Sequence, residues 1–257
     1  MICQRELLHF IRDRTGAAIA LFQPLIFLLV LGVGLAGLMP QFGGHSYQLF
    51  LFSGILLMAG QAPALSVGGS IIWDSQAGFL RHMLASPARR GTLLIGKCLG
   101  GTVVAACQTA VLLAVTGLIG IPYNALLLAA LLGEITLTAF AMTVLGVLLA
   151  TLVRLPRTFG TVMSVLLTPL TFLSGSMFPI SAMPSWMAAI ALANPLTYAV
   201  DATRRTIAGY LPRTPERLFR PLAWGSWPVP VGLELVLLAA GALVGLALAT
   251  RRFTRPS

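Results

Sequence analysis

The chain runs to 257 residues, 57% of them hydrophobic and 9% charged, with a formal net charge of +10. Soluble domains carry about 25% charged residues, so this composition, with a mean hydropathy of +0.91, excludes a fully hydrated surface. The positive charge is spread by position and not gathered in one patch, which argues against a nucleic-acid partner, and three cysteines are too few for a disulfide framework.

Residues 2–15 read as an amphipathic helix lying in a membrane interface. Leu7, Leu8 and Ile11 share a face, and Arg5, Glu6, His9, Arg12 and Asp13 fall mostly elsewhere. The first long apolar run covers 17–39. It is long enough to span and lacks a small-residue cleavage site, so it is not expected to be a cleavable signal peptide. Further runs cover 49–72, 93–121, 126–153, 160–178 and 231–250. About 20 apolar residues cross the roughly 30 Å of bilayer hydrocarbon. The runs are continuous and not alternating, which predicts helices and not a barrel.

Lys and Arg alternate between the gaps separating these runs. Arg5, Arg12 and Arg14 precede the first run, Arg81, Arg89, Arg90 and Lys97 lie around the start of the third, Arg154 and Arg157 separate the fourth and fifth, and Arg251, Arg252 and Arg255 close the chain. The other side holds Arg204, Arg205, Arg213, Arg217 and Arg220, which read as one long loop. The positive-inside rule then predicts six spans with both termini in the cytoplasm.

The segment WDSQAGFLRHMLASPARR, residues 73–90, is the most informative polar stretch. Asp74 or Ser75 can cap a helix start, Phe79, Leu80, Met83 and Leu84 then form one apolar stripe, and Pro87 ends it. Such a stripe suits a lipid surface or a docked partner. The next residues, GTLLIGKC (91–98), match a phosphate-binding loop except that Cys98 replaces the hydroxyl residue that would hold Mg²⁺. A phosphate loop needs a preceding strand and a soluble α/β sheet. Here a span follows, and Lys97 reads as the anchor of its cytoplasmic end. LSVGG (65–69) echoes an ATP-binding-cassette signature loop, but it lies inside a span. Cys98 and Cys107 would lie about 13 Å apart on one helix, too far to bridge.

Runs three and four are joined around Pro122 and Asn124, which predicts a tight helical hairpin. Glu134 lies about 15 Å deep if the fourth helix starts at Asn124, with Thr138 one turn further on. It is either a cavity-facing acid or, if the span starts later, an interfacial one. Glu234, in the first turn of the last run, reads as an interfacial acid at a helix N-terminus. The fifth run carries Thr161, Ser164, Thr168, Thr171 and Gly175 at spacings that place them on one face, a polar seam for helix contact or translocation. Beyond it, residues 174–177 break the helix, Pro179 and Pro184 frame a short apolar piece over 186–193, and Asn194 and Pro195 break the chain again before 198–207. The short piece cannot span and reads as re-entrant or interfacial, with Trp186, Tyr198, Trp224 and Trp227 at the outer headgroup level. His9, His45 and His82 show no ligand spacing and no nucleophilic triad is apparent, so neither a metal site nor an enzyme activity is expected.

Taken together, the words RELLHFIRDRTG (5–16), QPLIFLLVLG (23–32), GFLRHMLASPARR (78–90), IGKCLGG (95–101), FLSGSMFPISAMPSW (172–186) and NPLTYAVDATR (194–204) resemble the membrane subunits of ABC-2-type exporters. That group includes daunorubicin-resistance and nodulation-factor export permeases. The chain departs from it at Ser75 and Gln76, where relatives often carry Arg and an acid. The resemblance implies a single all-α membrane domain over 1–257 in a bacterial plasma (inner) membrane. Its parts would be an interfacial connecting helix over 1–16, six transmembrane helices, a cytoplasmic coupling loop over 73–92 and outer re-entrant helices within 179–230. Gly78, Phe79, Leu80, Arg81, Met83 and Leu84 would dock a separate ATPase. Ser174, Gly175, Phe178, Pro179, Asn194, Pro195, Tyr198 and Asp201 would form an outer gate. Glu134, Thr138, Thr161, Ser164, Thr168 and Thr171 are the candidates for a translocation path. No cofactor is expected in this chain. ATP and Mg²⁺ would be bound by two copies of the ATPase, which would serve two membrane subunits.

Overall fold

Unbroken apolar sequence buries best as helix in a bilayer, because a helix satisfies its own backbone, and helices dominate this fold. The computed structural model describes residues 12, 14–38, 44–76, 90–114, 116–153, 155–211, 219–225 and 227–254. The long helices are α1 (Arg14–Leu38), α2 (Gly44–Gln76), α3 (Arg90–Leu113), α4 (Ala125–Ala150) and α5 (Pro156–Leu173). After α5 come two short helices, α6 (Ser185–Ala193) and α7 (Pro195–Ala208), and then α8 (Val231–Thr254). Between α7 and α8, β1 (Ala223–Trp224) pairs antiparallel with β2 (Trp227–Pro228).

Among the described residues four helices are long and apolar enough to cross a membrane: Tyr47–Trp73, Gly91–Leu113, Ala125–Ala150 and Val231–Phe253. The runs 17–39 and 160–178 form α1 and α5, with Leu21–Gly32 a shorter apolar stretch. At 33 residues, α2 is about 50 Å long, more than a bilayer's hydrocarbon thickness.

The run 93–121 does not form one helix, and the connection to α4 is longer than the tight hairpin the sequence suggests. α3 stops at Leu113 and a 3₁₀ turn, Thr116–Ile119, follows. Two hydroxyls take the carbonyls that helix continuation would need: Thr116 donates to Leu113 O at 2.7 Å and Tyr123 to Ala114 O at 2.7 Å. Asn124 then starts α4, its side chain accepting from the amides of Leu126 (2.9 Å) and Leu127 (3.3 Å). α5 begins with Pro at its first position and stops before Gly175, whose φ of +79° turns the chain.

α4 sits at the centre and packs against α2, α3, α7 and α8, while α1 lies along α2 and α5 leans on α2, α4 and α7. One apolar cluster joins α2, α3, α4, α5 and α8 around Val67, Leu94, Met142, Val147 and Met163. The second gathers Tyr47, Phe50, Leu56, Leu112, Leu131 and Ile135. The turn after α5 and helix α7 lie over this second cluster, where α2 begins; this is called the capped end below.

Candidate functional site

A cleft opens between α1, α2 and α5, with a volume of about 370 Å³. Gln23, Pro24 and Phe27 come from α1, Met58 and Gln61 from α2, and Ser164, Leu167, Thr168, Thr171 and Phe172 from α5. The spacing of 3 and 4 puts Ser164, Thr168 and Thr171 on one face of α5, and that face lines the cleft. The Gln61 side-chain amide donates to the Thr171 hydroxyl at 2.9 Å, and that hydroxyl lies 2.7 Å from Leu167 O and 3.1 Å from the Gln61 carbonyl oxygen. Among the described residues no lining side chain is ionisable.

At the capped end, the last turn of α5 leaves carbonyls without helical partners, and side chains supply the donors. Ser174 and Ser176 donate to Thr171 O at 2.6 and 2.8 Å, and the Asn194 side chain donates to Leu170 O at 2.6 Å while capping α7 through the Leu196 amide. The Tyr47 hydroxyl donates to Met177 O at 3.3 Å. A Cβ on Gly54 would lie 2.6 Å from the Ser176 Cβ and carbonyl oxygen, so glycine lets α2 and this turn meet. Arg204 donates to Gly175 O at 2.7 Å and lies 3.8 Å from the centre of the Phe50 ring. Burial lowers its pKa to about 10, against the opposing pull of Asp201, so it stays protonated at neutral pH.

Behind this turn is a buried polar core. Thr206 donates to Glu134 at 2.6 Å. Arg205 lies 3.9 Å from Asp201 and 3.8 Å from Glu234 and donates to Val229 O, while Asp201 accepts from the Leu222 amide at 3.0 Å. Among the described residues, one Glu134 oxygen and both Glu234 oxygens have no hydrogen-bond donor. Tyr198 donates to Leu192 O at 2.8 Å and accepts from the Trp224 indole at 3.2 Å.

The structure therefore separates the path candidates. Ser164, Thr168 and Thr171 share the cleft, and Thr161 is exposed on the same helix. Glu134 is instead buried beside α7, and Thr138 turns its hydroxyl back to Glu134 O at 2.8 Å. Ser174, Gly175 and Asn194 are brought together at the end of α5, with Phe178 exposed and Pro179 half-buried beyond them. Pro195 opens α7, where Tyr198 and Asp201 lie on successive turns. Gly78, Phe79, Leu80, Arg81, Met83 and Leu84 lie outside the described residues, as does the 2–15 segment except Arg12 and the pair Arg14 and Thr15, which begin α1.

Two sequence readings are corrected. Arg204 and Arg205 are not in a loop but on α7, at 4% exposure for Arg204. Their spacing from Asp201, three and four residues, was the available signal. Glu234 does lie in the first turn of α8, as the sequence suggests, but it is fully buried beside Arg205 and not at a surface. Gln23 and Gln61 were missed, although each is a lone amide in an apolar run. The phosphate-loop look-alike is continuous helix within α3, and Lys97 there is buried with its ammonium 2.8 Å from the Ser70 hydroxyl.

The sequence profile described as ABC-2 type transporter matches residues 1–207. The chain belongs to the ABC-2 type transporter family. It is 27% identical over 234 residues to a putative transport permease, ycf38, of Cyanophora paradoxa, covering 89% of this chain and 79% of that one. It is 28% identical over 199 residues to nodulation protein J of Rhizobium leguminosarum bv. trifolii, covering 74% and 73%. The inner membrane transport permease YhhJ of Escherichia coli K12 is 27% identical over 155 residues, 58% of this chain and 41% of YhhJ. As an ABC-2 type transport permease, the chain is a membrane protein. The matched region holds both halves of the cleft and most of the capped end.

Proposed function

We propose that this ABC-2 permease exports an amphipathic, drug-like, lipid or glycolipid solute from the cytoplasm, driven by a separate ATP-binding-cassette ATPase. In this reading six helices span a bacterial plasma membrane with both termini inside. Two copies, or one copy and a close relative, pair around the cleft faces of α1, α2 and α5. Two ATPase subunits hold ATP and Mg²⁺ and dock on residues 78–84, with Phe79, Leu80, Met83 and Leu84 as apolar anchors and Gly78 and Arg81 at their edge. The capped end, including Ser174, Gly175, Asn194, Tyr198 and Asp201, is the outer gate.

The observation that carries this reading is the polar cleft beside α2. Met58 and Gln61 of its lining belong to α2, which runs to Gln76, two residues in sequence before the proposed docking segment, so a push on that segment would be passed to the cleft through α2. Reconstitution in vesicles tests it. ATP-dependent solute movement should require the ATPase subunit, and movement by the permease alone would refute it. A second reading, an ion- or proton-coupled carrier, draws on the three buried carboxylates Glu134, Asp201 and Glu234. It predicts movement driven by an ion gradient with no ATPase present.

A further inference from the structure

The cleft has a chemistry more specific than "amphipathic". Its described lining is two amides, three hydroxyls, two phenyl rings, a proline, a leucine and a methionine, with no charged group among the described residues. At about 370 Å³ it lies within the range of about 300–1,000 Å³ typical of small-molecule sites. A charge brought here from water loses its hydration and meets no counter-charge, whereas a neutral hydroxyl or amide loses less and finds partners.

Gln61 supplies those partners. A side-chain amide has two N–H donors and a carbonyl acceptor, and a hydroxyl has one proton. One Gln61 N–H goes to Thr171 at 2.9 Å. The Thr171 proton faces two acceptors, Leu167 O at 2.7 Å and the Gln61 carbonyl at 3.1 Å, and can satisfy only one. The shorter contact belongs to Leu167. Gln61 keeps its second N–H and spare lone-pair capacity on its carbonyl oxygen at the cleft wall, a donor and an acceptor that a ligand hydroxyl or amide can use. Phe27, Phe172, Met58 and Leu167 offer apolar surface around it.

We propose that this cleft selects an uncharged amphiphile, an apolar body carrying hydroxyl or amide groups, and rejects anions and cations of the same body. The proposal rests on the reading of the cleft as the solute site. Its test is made on the full-length permease in nanodiscs with no ATPase present, so it stands apart from how transport is energised. Three photoreactive probes share one diazirine-bearing alkyl chain and differ in headgroup: glucoside, sulfate and trimethylammonium. Crosslinks are mapped to peptides from α1, α2 and α5.

The glucoside should label the cleft at least ten-fold more than either ionic probe. Thr168→Val, on an exposed face, keeps the fold and should lower glucoside labelling a few-fold. Gln61→Leu should lower it more. Ser164→Arg should reverse the order, so that the sulfate labels best. Equal labelling by an ionic probe in the unsubstituted protein, no cleft labelling by any probe, or an order unchanged by Ser164→Arg would each overturn the proposal. If the selectivity holds but reconstituted transport proceeds without an ATPase, the exporter reading fails and the cleft assignment stands.

Discussion

Arg204 shows how much one side chain holds at the capped end. Its guanidinium rests on Phe50 of α2, donates to the carbonyl of Gly175, and belongs to α7, so three segments meet at one charge. A buried cation over a ring is worth about 2 kcal/mol, and a charged hydrogen bond about 1.5–3 kcal/mol. Arg204→Gln loses the charge and the stack. It should cost about 2–4 kcal/mol in all, read as a lower midpoint of thermal denaturation in nanodiscs. The Glu134–Thr206 bond calls for a cycle of variants. Thr206→Val removes the hydroxyl that donates to Glu134 and should destabilise by about 1–3 kcal/mol, the cost of an unsatisfied buried acceptor. Adding Glu134→Leu removes that acceptor, so the double variant should be more stable than the sum of the single changes. Additive losses in the same denaturation measurement would show that the two side chains do not interact. The burial of Arg204 and Glu234 could not be read from sequence, although the spacing from Asp201 pointed to a helix for Arg204 and Glu234 was placed in the first turn of its helix. Charge at a helix edge and charge in a buried network have the same local spelling, and only the packing of α4 and α8 on α7 distinguishes them.

At the scale of elements, most helices were legible because their signals are local. Apolar runs fix their cores, Asn124 and Asn194 with Pro195 fix starts, and Gly175 fixes a stop. The polar seam on α5 was also legible, since spacing alone assigns a face. Its partner was not: Gln61 reaches Thr171 across 110 residues of sequence. The early end of α3 was missed for the opposite reason, because hydropathy carries no record of the hydroxyls that take its last carbonyls. The contact between α2 and the turn after α5 yields a sharp comparison. Gly54→Ala pushes a methyl to 2.6 Å from Ser176, while Gly60→Ala meets Ala139 at an ordinary 3.6 Å. Overpacking costs about 1–3 kcal/mol. Gly54→Ala should therefore speed hydrogen exchange at residues 174–177, and Gly60→Ala should leave it unchanged.

Across the whole molecule, the distribution of burial matches a bundle with lipid around it. In the α2 span 79% of the apolar window is buried within the protein, against 17% for α8. Val236, Leu243 and Val244 of α8 are each about 60% exposed, which in water would be a large sticky patch. α2 inside and α8 at the rim thus assign an inner and a lipid-facing helix without any reference to charge. The charge pattern adds the proposed orientation: basic residues flank one set of helix ends, while Arg204 and Arg205, at the other, are absorbed into a buried network and no longer count as loop charges. The same orientation puts residues 78–84 where an ATPase would dock. Co-purification of this chain with a co-expressed ATP-binding-cassette ATPase tests the proposal that the permease is driven by such a partner. The unsubstituted protein should yield an equimolar, ATP-hydrolysing complex, and Phe79→Ala with Met83→Ala should abolish it while leaving the permease folded. A complex undiminished by that double substitution, or a permease that purifies alone and moves solute on an ion gradient, would contradict it.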